Sequence, residues 1–256
     1  MRMFAERGTD SIRDHFDRLA EIYDIGTSDW VADRCILGTI ADLIKEGPVL
    51  DLACGTGIVS RFLLERQPNL AVYGLDISPR MCAAARRQGI RTFLGRAERM
   101  PFEDHSFSTI VCRQGLHYVD VSDCLRECRR VLRPGGRIVC AQIGSDEGDE
   151  GAWWREVKRV LQPLRKRWLI KNEVEDCMGR NGFVIGRIRV GTARSQRTIT
   201  QWFAATNQEH LPPWKRKLFL LKWTNNSPQS IRLRISSSDV SFEQRWLVWW
   251  AQPKIP

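Results

Sequence analysis

The stretch that decides the fold is Val49-Leu50-Asp51-Leu52-Ala53-Cys54-Gly55-Thr56-Gly57. Its apolar start predicts a buried strand, its glycines predict a tight turn, and the residues after Gly57 predict a helix. A second apolar run, residues 71–75, ends at Asp76, nineteen residues after Gly57. A strand, a glycine loop, a helix, a strand and a terminal acid form one half of a nucleoside-binding fold, in which the acid accepts the ribose hydroxyls.

The glycine spacing distinguishes two classes of nucleoside cofactor. The dinucleotide fingerprint G-x-G-x-x-G would place its third glycine at position 60, where this chain has Ser60. The serine weakens the NAD or FAD interpretation without excluding it. The observed pattern D-x-A-x-G-x-G suits S-adenosylmethionine (SAM) better, because SAM has no pyrophosphate to bind.

Four motifs in order resemble those of the class I SAM-dependent methyltransferases, and most of all the type 11 group, which includes ubiquinone and menaquinone methyltransferases. They lie at residues 51–57, 75–81, 95–107 and 131–137. The resemblance implies an α/β, Rossmann-like fold, with a seven-stranded, mostly parallel sheet, helices on both faces and an antiparallel last strand. It also implies SAM as cofactor and S-adenosylhomocysteine (SAH) as product.

The same resemblance implies which residues hold the cofactor. Asp51 would lie near the methionine ammonium, Gly55 and Gly57 would bring backbone close to the methionine part, and Asp76 would hold the ribose. Tyr23 lies in a segment that resembles the cap helix of this group, and its alternative role is a core-facing aromatic. The full predicted set is Asp51, Ala53, Gly55, Gly57, Asp76, Ile77, Arg96, Ala97, Gln114 and Tyr23, and no metal ligands are predicted.

The third motif departs from the family pattern. Many relatives have Gly-Asp-Ala where this chain has Gly95-Arg96-Ala97. Arginine offers no acceptor to the adenine amino group, although Arg96 would be able to stack on the ring and the backbone of Ala97 to meet its edge. Adenine recognition is therefore altered or supplied by another group, or, on the opposite interpretation, SAM binding is lost.

The loop after the fourth predicted strand holds the candidate catalytic residue. Ligands bind at the carboxyl ends of strands in open α/β sheets, which places Gln114 toward the cofactor or the acceptor. His117 is the candidate general base, because its reference pKa is close to neutrality. The alternative is a histidine that packs against the next helix, since methyl transfer can proceed through orientation and water exclusion alone.

Length and patterning indicate one decorated domain in a chain of 256 residues. Residues 1–46 are predicted to form N-terminal cap helices, with one helix over 11–23, and residues 47–144 the SAM-binding core. Residues 145–256 would complete the sheet, with strands at 183–190 and 245–251, and add an inserted helical, basic, tryptophan-rich substrate lid.

Charge and tryptophan content set the C-terminal part apart from the rest. Residues 1–150 carry a net charge of −3 and residues 151–256 a net charge of +13, and nine of the ten tryptophans follow residue 150. Residues 212–223 mix consecutive cations with an apolar run. The interpretations are a substrate lid, a membrane-surface helix and a nucleic-acid face, and nucleic acid is the least favoured.

The sequence thus predicts a SAM-dependent methyltransferase of a small, largely apolar or aromatic acceptor. Two alternatives remain: an enzyme of the same fold that uses SAM for a cyclisation or rearrangement, and an accessory protein that binds RNA or membrane. The first ten residues lack a signal-peptide core and no apolar run is long enough to span a bilayer. We therefore expect a cytoplasmic, or membrane-peripheral, protein with reduced cysteines; the oligomeric state has no signature in the sequence.

Overall fold

The computed structural model describes residues 2–24, 33–144, 149–161, 164–166, 171–198, 212, 220, 222–224, 226–236 and 239–254, with the backbone alone for 2–10, 158–161 and 193–198. Most of the segment predicted as the lid, including 199–211 and 213–219, lies outside the described residues. Among the described residues, no helix combines the length and the apolar character that crossing a membrane requires.

A single mixed sheet forms the centre of the molecule. The strand order is β3-β2-β1-β4-β5-β8-β6, and the short strand β7 pairs with β8. Strands β1 to β5 are parallel to one another, whereas β8 runs antiparallel to both β5 and β6, which confirms the predicted fold. The strands are β1 Val49–Leu52, β2 Val72–Asp76, β3 Arg91–Leu94, β4 Phe107–Arg113, β5 Leu132–Ile143, β6 Phe183–Thr198, β7 Arg234–Ile235 and β8 Asp239–Pro253.

Helices cover both faces of this sheet. Asp33, Ser78 and Asp120 each cap a helix by accepting backbone N–H bonds with their side chains. The predicted first helix, residues 11–23, begins earlier and ends at Leu19. The helices are α1 Arg2–Leu19, α2 Arg34–Asp42, α3 Ile58–Arg66, α4 Pro79–Arg87, α5 Val121–Val131, α6 Asp149–Leu161 and α7 Lys171–Arg180, with a 3-10 turn at Gln229–Ile231.

The central strands are buried on both faces, as parallel strands between helices must be. All residues of β1 and β4 are buried. Along β5, Val139 packs into the core that α2, α3 and α6 share, whereas its neighbour Cys140 packs into the core beneath α5 and α7. This alternation follows from the period of two along a strand. All eight cysteines are free thiols, and Cys35 is exposed.

The strand order reverses at β1, which pairs with β2 on one side and β4 on the other. The connection after β1 leads to one side of the sheet and the connection after β4 leads to the other. A crevice therefore opens above the carboxyl ends of these two strands. The loops after β1, β2 and β4 therefore meet at one edge of the sheet, and we call this edge the carboxyl edge.

The last two long strands extend beyond their predicted ends of 190 and 251. β6 and β8 remain paired from Phe183 opposite Pro253 to Thr198 opposite Asp239. A register shift between Ile185 and Arg187 leaves Gly186 beside Trp250, where a Cβ would lie 1.8 Å from Cζ2 of the tryptophan ring. The bulge thus depends on a glycine at this position.

Candidate active site

The glycine loop after β1 presents backbone at the carboxyl edge. Ala53, Gly55 and Gly57 all have positive φ values, of 57°, 54° and 86°. A Cβ at Gly55 would meet no heavy atom of the described residues within 4 Å, so that these residues leave the loop open on this side. A Cβ at Gly57 would lie 3.2 Å from Cβ of Ala85 in α4. Gly55 thus faces the crevice, whereas Gly57 lets the loop pack closely against α4.

Asp76, at the end of β2, is held by backbone N–H groups. Its Oδ2 accepts from Gly55 at 2.8 Å and its Oδ1 accepts from Ser78 at 2.9 Å. Burial raises the pKa of Asp76, and bonds from the backbone of Ser78, Gly55 and Ile77 oppose this rise. A carboxylate offers about four lone-pair sites, so that capacity remains for a ligand hydroxyl. The orientation fits the predicted ribose contact.

Asp51 is turned toward the start of α3. Its Oδ2 accepts from Oγ of Ser60 at 2.6 Å and from the backbone N–H of Ser60 at 3.1 Å. Burial raises the pKa of Asp51 to about 6, and the bonds from Ser60 act against that rise. Asp51 therefore orders the first turn of α3 behind the glycine loop. Its contact with a methionine ammonium stays a prediction.

The N-terminal helix is fastened across the carboxyl edge. Oγ1 of Thr56, in the glycine loop, donates to Oδ1 of Asp24 at 2.7 Å. A second set of bonds joins α1 to the loop after β2. The hydroxyl of Ser78 and the backbone N–H of Arg80 both donate to Oδ1 of Asp17. These contacts join α1 and the turn after it to the loops of β1 and β2; a role of α1 as a cap over the cofactor stays a prediction.

Tyr23 follows α1 and lies among groups from three loops. Burial raises the pKa of Tyr23 to about 12; Tyr118, Asp76 and Asp24 add to this rise, whereas Arg113 lowers it. The ring of Phe16 packs edge-on between the rings of Tyr23 and Tyr118, at centroid distances of 6.4 and 5.1 Å. Tyr23 is thus within electrostatic reach of Asp76, and its role in closing the site stays a prediction.

The loop after β4 touches the glycine loop. A Cβ on Gly115 would lie 2.8 Å from Cβ of Ala53, so that a glycine lets the two loops meet. Gln114 has a left-handed φ of 57°, and its buried Nε2 has no hydrogen-bond partner among the described residues. Its Oε1 accepts from Arg165 at 3.4 Å. A strained residue with an unsatisfied donor is a feature of ligand sites.

Two arginines at this edge are absent from the predicted set of site residues. Arg113, the last residue of β4, is 9% exposed, and its guanidinium lies 4.9 Å from the centroid of Trp246 in β8. Arg165 bonds to the side chain of Tyr118. Burial lowers the pKa of both arginines to about 10, so that both remain cationic at neutral pH. A charged residue that ends a buried strand is the signal that points to Arg113.

His117 lies deeper than expected for a base that meets solvent. Its side chain is 1% exposed, and its ring lies 4.2 Å from that of Tyr118. When the amide of Gln142 is oriented to satisfy both its ends, its nitrogen donates to Nδ1 of His117 at 2.8 Å. The ring proton then lies on Nε2. These contacts support the packing interpretation, and the catalytic role stays a prediction.

The residues after β2 and β3 flank the site. The side chain of Arg96 is 39% exposed, and its Nε lies 3.8 Å from Oε2 of Glu98. Ala97 is buried in the core beneath α5, whereas Ile77 is half-buried beside Asp76. Stacking of Arg96 on an adenine stays a prediction. The described residues hold no group of three or more histidine, cysteine or acidic side chains suited to a metal ion.

Comparisons with known proteins agree with this geometry. Residues 50–140 match a family model described as a methyltransferase domain. A demethylmenaquinone methyltransferase from Thermotoga maritima is 38% identical over 136 residues, which cover 50% of this chain and 59% of that protein. A malonyl-[acyl-carrier protein] O-methyltransferase from Halorhodospira halophila is 32% identical over 183 residues, which cover 68% of this chain and 61% of that protein.

The fold has solved counterparts as well. A structure from Bacillus halodurans C-125, provisionally named a methyltransferase, superposes with a TM-score of 0.71 at 20% identity, over 87% of this chain and 99% of that chain. The chain spans between half and about three-fifths of the length of the curated relatives it matches. Residues 50–140 thus resemble the type 11 methyltransferase domain, a family whose methyl donor is SAM.

Proposed function

We propose that this protein transfers a methyl group from SAM to a small, largely apolar or aromatic acceptor. The observation that carries the proposal is the pairing of Asp76 with Gly55. One carboxylate oxygen fixes the glycine loop while acceptor capacity remains for the ribose. The match of residues 50–140 to the methyltransferase domain model supports the assignment.

The cofactor would be held by groups on three loops. Asp76 would accept the ribose hydroxyls, and the open side of Gly55 would admit the methionine part. The buried Nε2 of Gln114 is a donor for an acceptor atom of the cofactor or of the substrate. The proposed cofactor set also keeps Asp51, Ala53, Gly57, Ile77, Arg96, Ala97 and Tyr23.

SAM, when bound, supplies an electrophilic methyl group on a cationic sulfur. What this chain contributes is orientation and the exclusion of water, which together account for a large part of such a rate. The fastening of α1 across the loops through Asp24 and Asp17 supports this role. The ring of Phe16 in α1 also contacts the rings of Tyr23 and of Tyr118, which lies in the loop after β4.

His117 remains the candidate general base of the proposal. When Gln142 donates to Nδ1, Nε2 carries the ring proton, so that a base acting through Nε2 requires the opposite orientation of the Gln142 amide, in which Oε1 accepts from Nδ1–H. A base would give a drop in kcat in His117→Gln together with a loss of the acidic limb of the pH profile. A packing residue would give a loss of stability with the pH profile unchanged.

The packing of segment 212–223 supports the proposed type of acceptor. Leu220 and Trp223 are 3% and 4% exposed and join the same core as Trp153 and Trp154. The end of segment 212–223 therefore packs inward, which supports a substrate lid over a membrane-surface helix or a nucleic-acid face. An aromatic, quinol-like acceptor suits such surroundings and agrees with the name of the Thermotoga maritima relative. A cytoplasmic location goes with this proposal.

A turnover assay tests the function. SAM is incubated with the protein and a panel of hydroquinones, phenols and small carboxylic acids, and the SAH released is quantified. We expect acceptor-dependent SAH formation that Asp76→Ala reduces by at least about tenfold. Asp42→Ala is the matched control, since this exposed aspartate ends α2 and pairs with Arg66. Complete acceptor turnover without SAH would instead favour the cyclisation or rearrangement alternative.

A further inference from the structure

Gln244 is a buried amide on β8 to which the proposed function gives no role. Its side chain is 2% exposed, and its Oε1 has no hydrogen-bond partner among the described residues. The polar residues on either side of it in the chain are paired. Glu243 accepts from Arg232 at 3.0 Å, and Arg245 lies 3.3 Å from Glu150. Because an amide oxygen buried without a partner destabilises a fold, Gln244 needs an explanation, and a ligand that pairs with it supplies one.

The register of the sheet places Gln244 at the carboxyl edge. Ile143, the last residue of β5, pairs with Trp246 of β8. Since β8 runs antiparallel to β5, Gln244 lies two residues beyond this pair, on the side where β1 to β5 have their carboxyl ends. The ring of Trp246 also contacts the end of β4, with its centroid 4.9 Å from Cζ of Arg113. Gln244 therefore lies at the edge to which the proposed function assigns the ligands.

Aromatic side chains surround this position. Residues two apart on a strand share a face, and Phe242 and Trp246 both belong to the core that α2, α3 and α6 share. Gln244, which lies between them, therefore faces the same core. Two rings of α6 join it there, since the ring centroid of Trp154 lies 5.5 Å from that of Phe242 and 4.8 Å from that of Trp153. Walls of this kind suit a planar aromatic ligand.

The polar atoms in this core indicate which group the ligand carries. Oε1 of Gln244 can only accept a hydrogen bond. The indole Nε1 of Trp153 can only donate one, and it too has no hydrogen-bond partner within the described part of the chain. A hydroxyl is the small neutral group that both donates and accepts. A cationic amine is disfavoured, because the guanidinium of Arg113 lies against the neighbouring ring of Trp246.

We propose that Gln244 determines the specificity for the methyl acceptor by accepting a hydrogen bond from a hydroxyl group on an aromatic acceptor, an inference that rests on the proposed function. The role of the amide is to bind and orient this hydroxyl. An acceptor without the donor would leave the amide oxygen buried and unpaired. The site therefore discriminates against such a molecule even when its shape and apolar surface are the same.

A matched pair of ligands tests this discrimination. Protein saturated with SAH is equilibrated by dialysis with 2-naphthol and with 2-methylnaphthalene, in which a methyl group of similar volume replaces the hydroxyl. Because SAH has no methyl group to transfer, binding is measured without turnover. We expect 2-naphthol to bind about 10- to 100-fold more tightly, although the hydrocarbon is the more apolar ligand.

Variants assign that preference to the amide oxygen. Gln244→Met removes the acceptor at similar volume, and it should abolish the preference while the affinity for SAH is unchanged. Gln244→Glu keeps an acceptor oxygen and should retain a part of the preference. Gln252→Met is the matched control, since this glutamine near the other end of β8 donates to the backbone oxygen of Gly135 at 2.9 Å. If Gln244→Met does not fold, Gln244→Asn takes its place, because it withdraws the oxygen by one methylene and should weaken the preference several-fold.

The outcomes distinguish this inference from the proposed function. Three results overturn the role of Gln244 while SAH binding leaves the methyltransferase assignment intact: binding of neither ligand, 2-naphthol binding no more tightly than 2-methylnaphthalene, or an unchanged preference in the Gln244 variant that lacks the oxygen or withdraws it. Failure of the native protein to bind SAH removes the proposed function itself.

Discussion

Ser60 binds Asp51 with two hydrogen bonds, one from its hydroxyl at 2.6 Å and one from its backbone N–H at 3.1 Å, both to Oδ2. Ser60 occupies the position at which a dinucleotide-binding loop has its third glycine. Here the position serves to hold a buried acid at the start of α3. The serine that replaces the third glycine of the dinucleotide pattern thus adds an interaction. This interaction links the start of α3 to Asp51, which directly precedes the glycine loop.

Removal of the Ser60 hydroxyl should destabilise the fold. Ser60→Ala leaves the buried carboxylate of Asp51 with one bond fewer, and hydrogen bonds to charged groups contribute about 1.5–3 kcal/mol. Urea denaturation at pH 7 measures the free energy of unfolding. Ser122→Ala, at an exposed position of α5, should change it by less than about 0.5 kcal/mol. Equal effects of the two substitutions would contradict the role of Ser60.

The raised pKa of Asp51 makes the stability depend on pH in a defined direction. The folded pKa of about 6 exceeds the ordinary value of 3.8, so that the folded state binds the proton more tightly between these values. Asp51 therefore favours the folded state below pH 4, and this contribution is lost as the pH rises through 6, by about 3 kcal/mol at most.

Asp51→Asn isolates this contribution. Urea denaturation of the native protein and the variant between pH 4 and 7 gives the difference in the free energy of unfolding, in which the other titrating groups largely cancel. The native protein should lose stability relative to Asp51→Asn between pH 4 and 6 and stay level above. A constant difference across this range would show that the pKa of Asp51 is not raised.

The bulge in β6 should tolerate no side chain. Gly186→Ala would place a Cβ 1.8 Å from Cζ2 of Trp250, so that the strand or the ring must move, at a cost of about 1–3 kcal/mol or more. Gly179→Ala is the matched control, because a Cβ at this helical position would meet no atom of the described part of the chain within 4 Å. It should stabilise α7 by about 0.5–1 kcal/mol. Thermal unfolding measures the stability of both variants against the native protein. A Gly186→Ala variant as stable as the native protein would contradict the described bulge.

The contact between Asp24 and Thr56 should hold the N-terminal helix over the site. Asp24→Ala removes the acceptor of a 2.7 Å bond, so that backbone amides of residues 11–24 should exchange hydrogen faster and SAH should bind several-fold more weakly. Asp14→Ala, on the exposed side of α1 where it pairs with Arg13, should leave both unchanged. Slow exchange in Asp24→Ala would show that α1 is held by other contacts.

The sheet core was predictable because its signals are local. The buried run of β1, its glycine turn and Asp76 lie within 28 residues of one another, and each has a periodicity or a turn residue that marks it. The parallel pairing of β1 to β5 follows from the alternation of strands and helices. The extended parts of β6 and β8 were not predicted. Their polar residues pair as an antiparallel ribbon and lack the apolar run from which a strand is predicted.

The candidate site was predictable in its acids and glycines and less so in its other members. The bond between Asp24 and Thr56 joins residues 32 positions apart, and the contact of Arg113 with Trp246 joins β4 to the last strand. Neither pair has a spacing that a sequence pattern records. The contact of His117 with Gln142 of β5 likewise joins residues 25 positions apart.

The most direct test of the central claim is a calorimetric titration of the native protein and of Asp76→Ala with SAM. The account predicts saturable binding of one SAM per chain to the native protein and at least about tenfold weaker binding to Asp76→Ala, with Asp42→Ala indistinguishable from native. Absence of binding to the native protein, or equal affinity in Asp76→Ala, would contradict it.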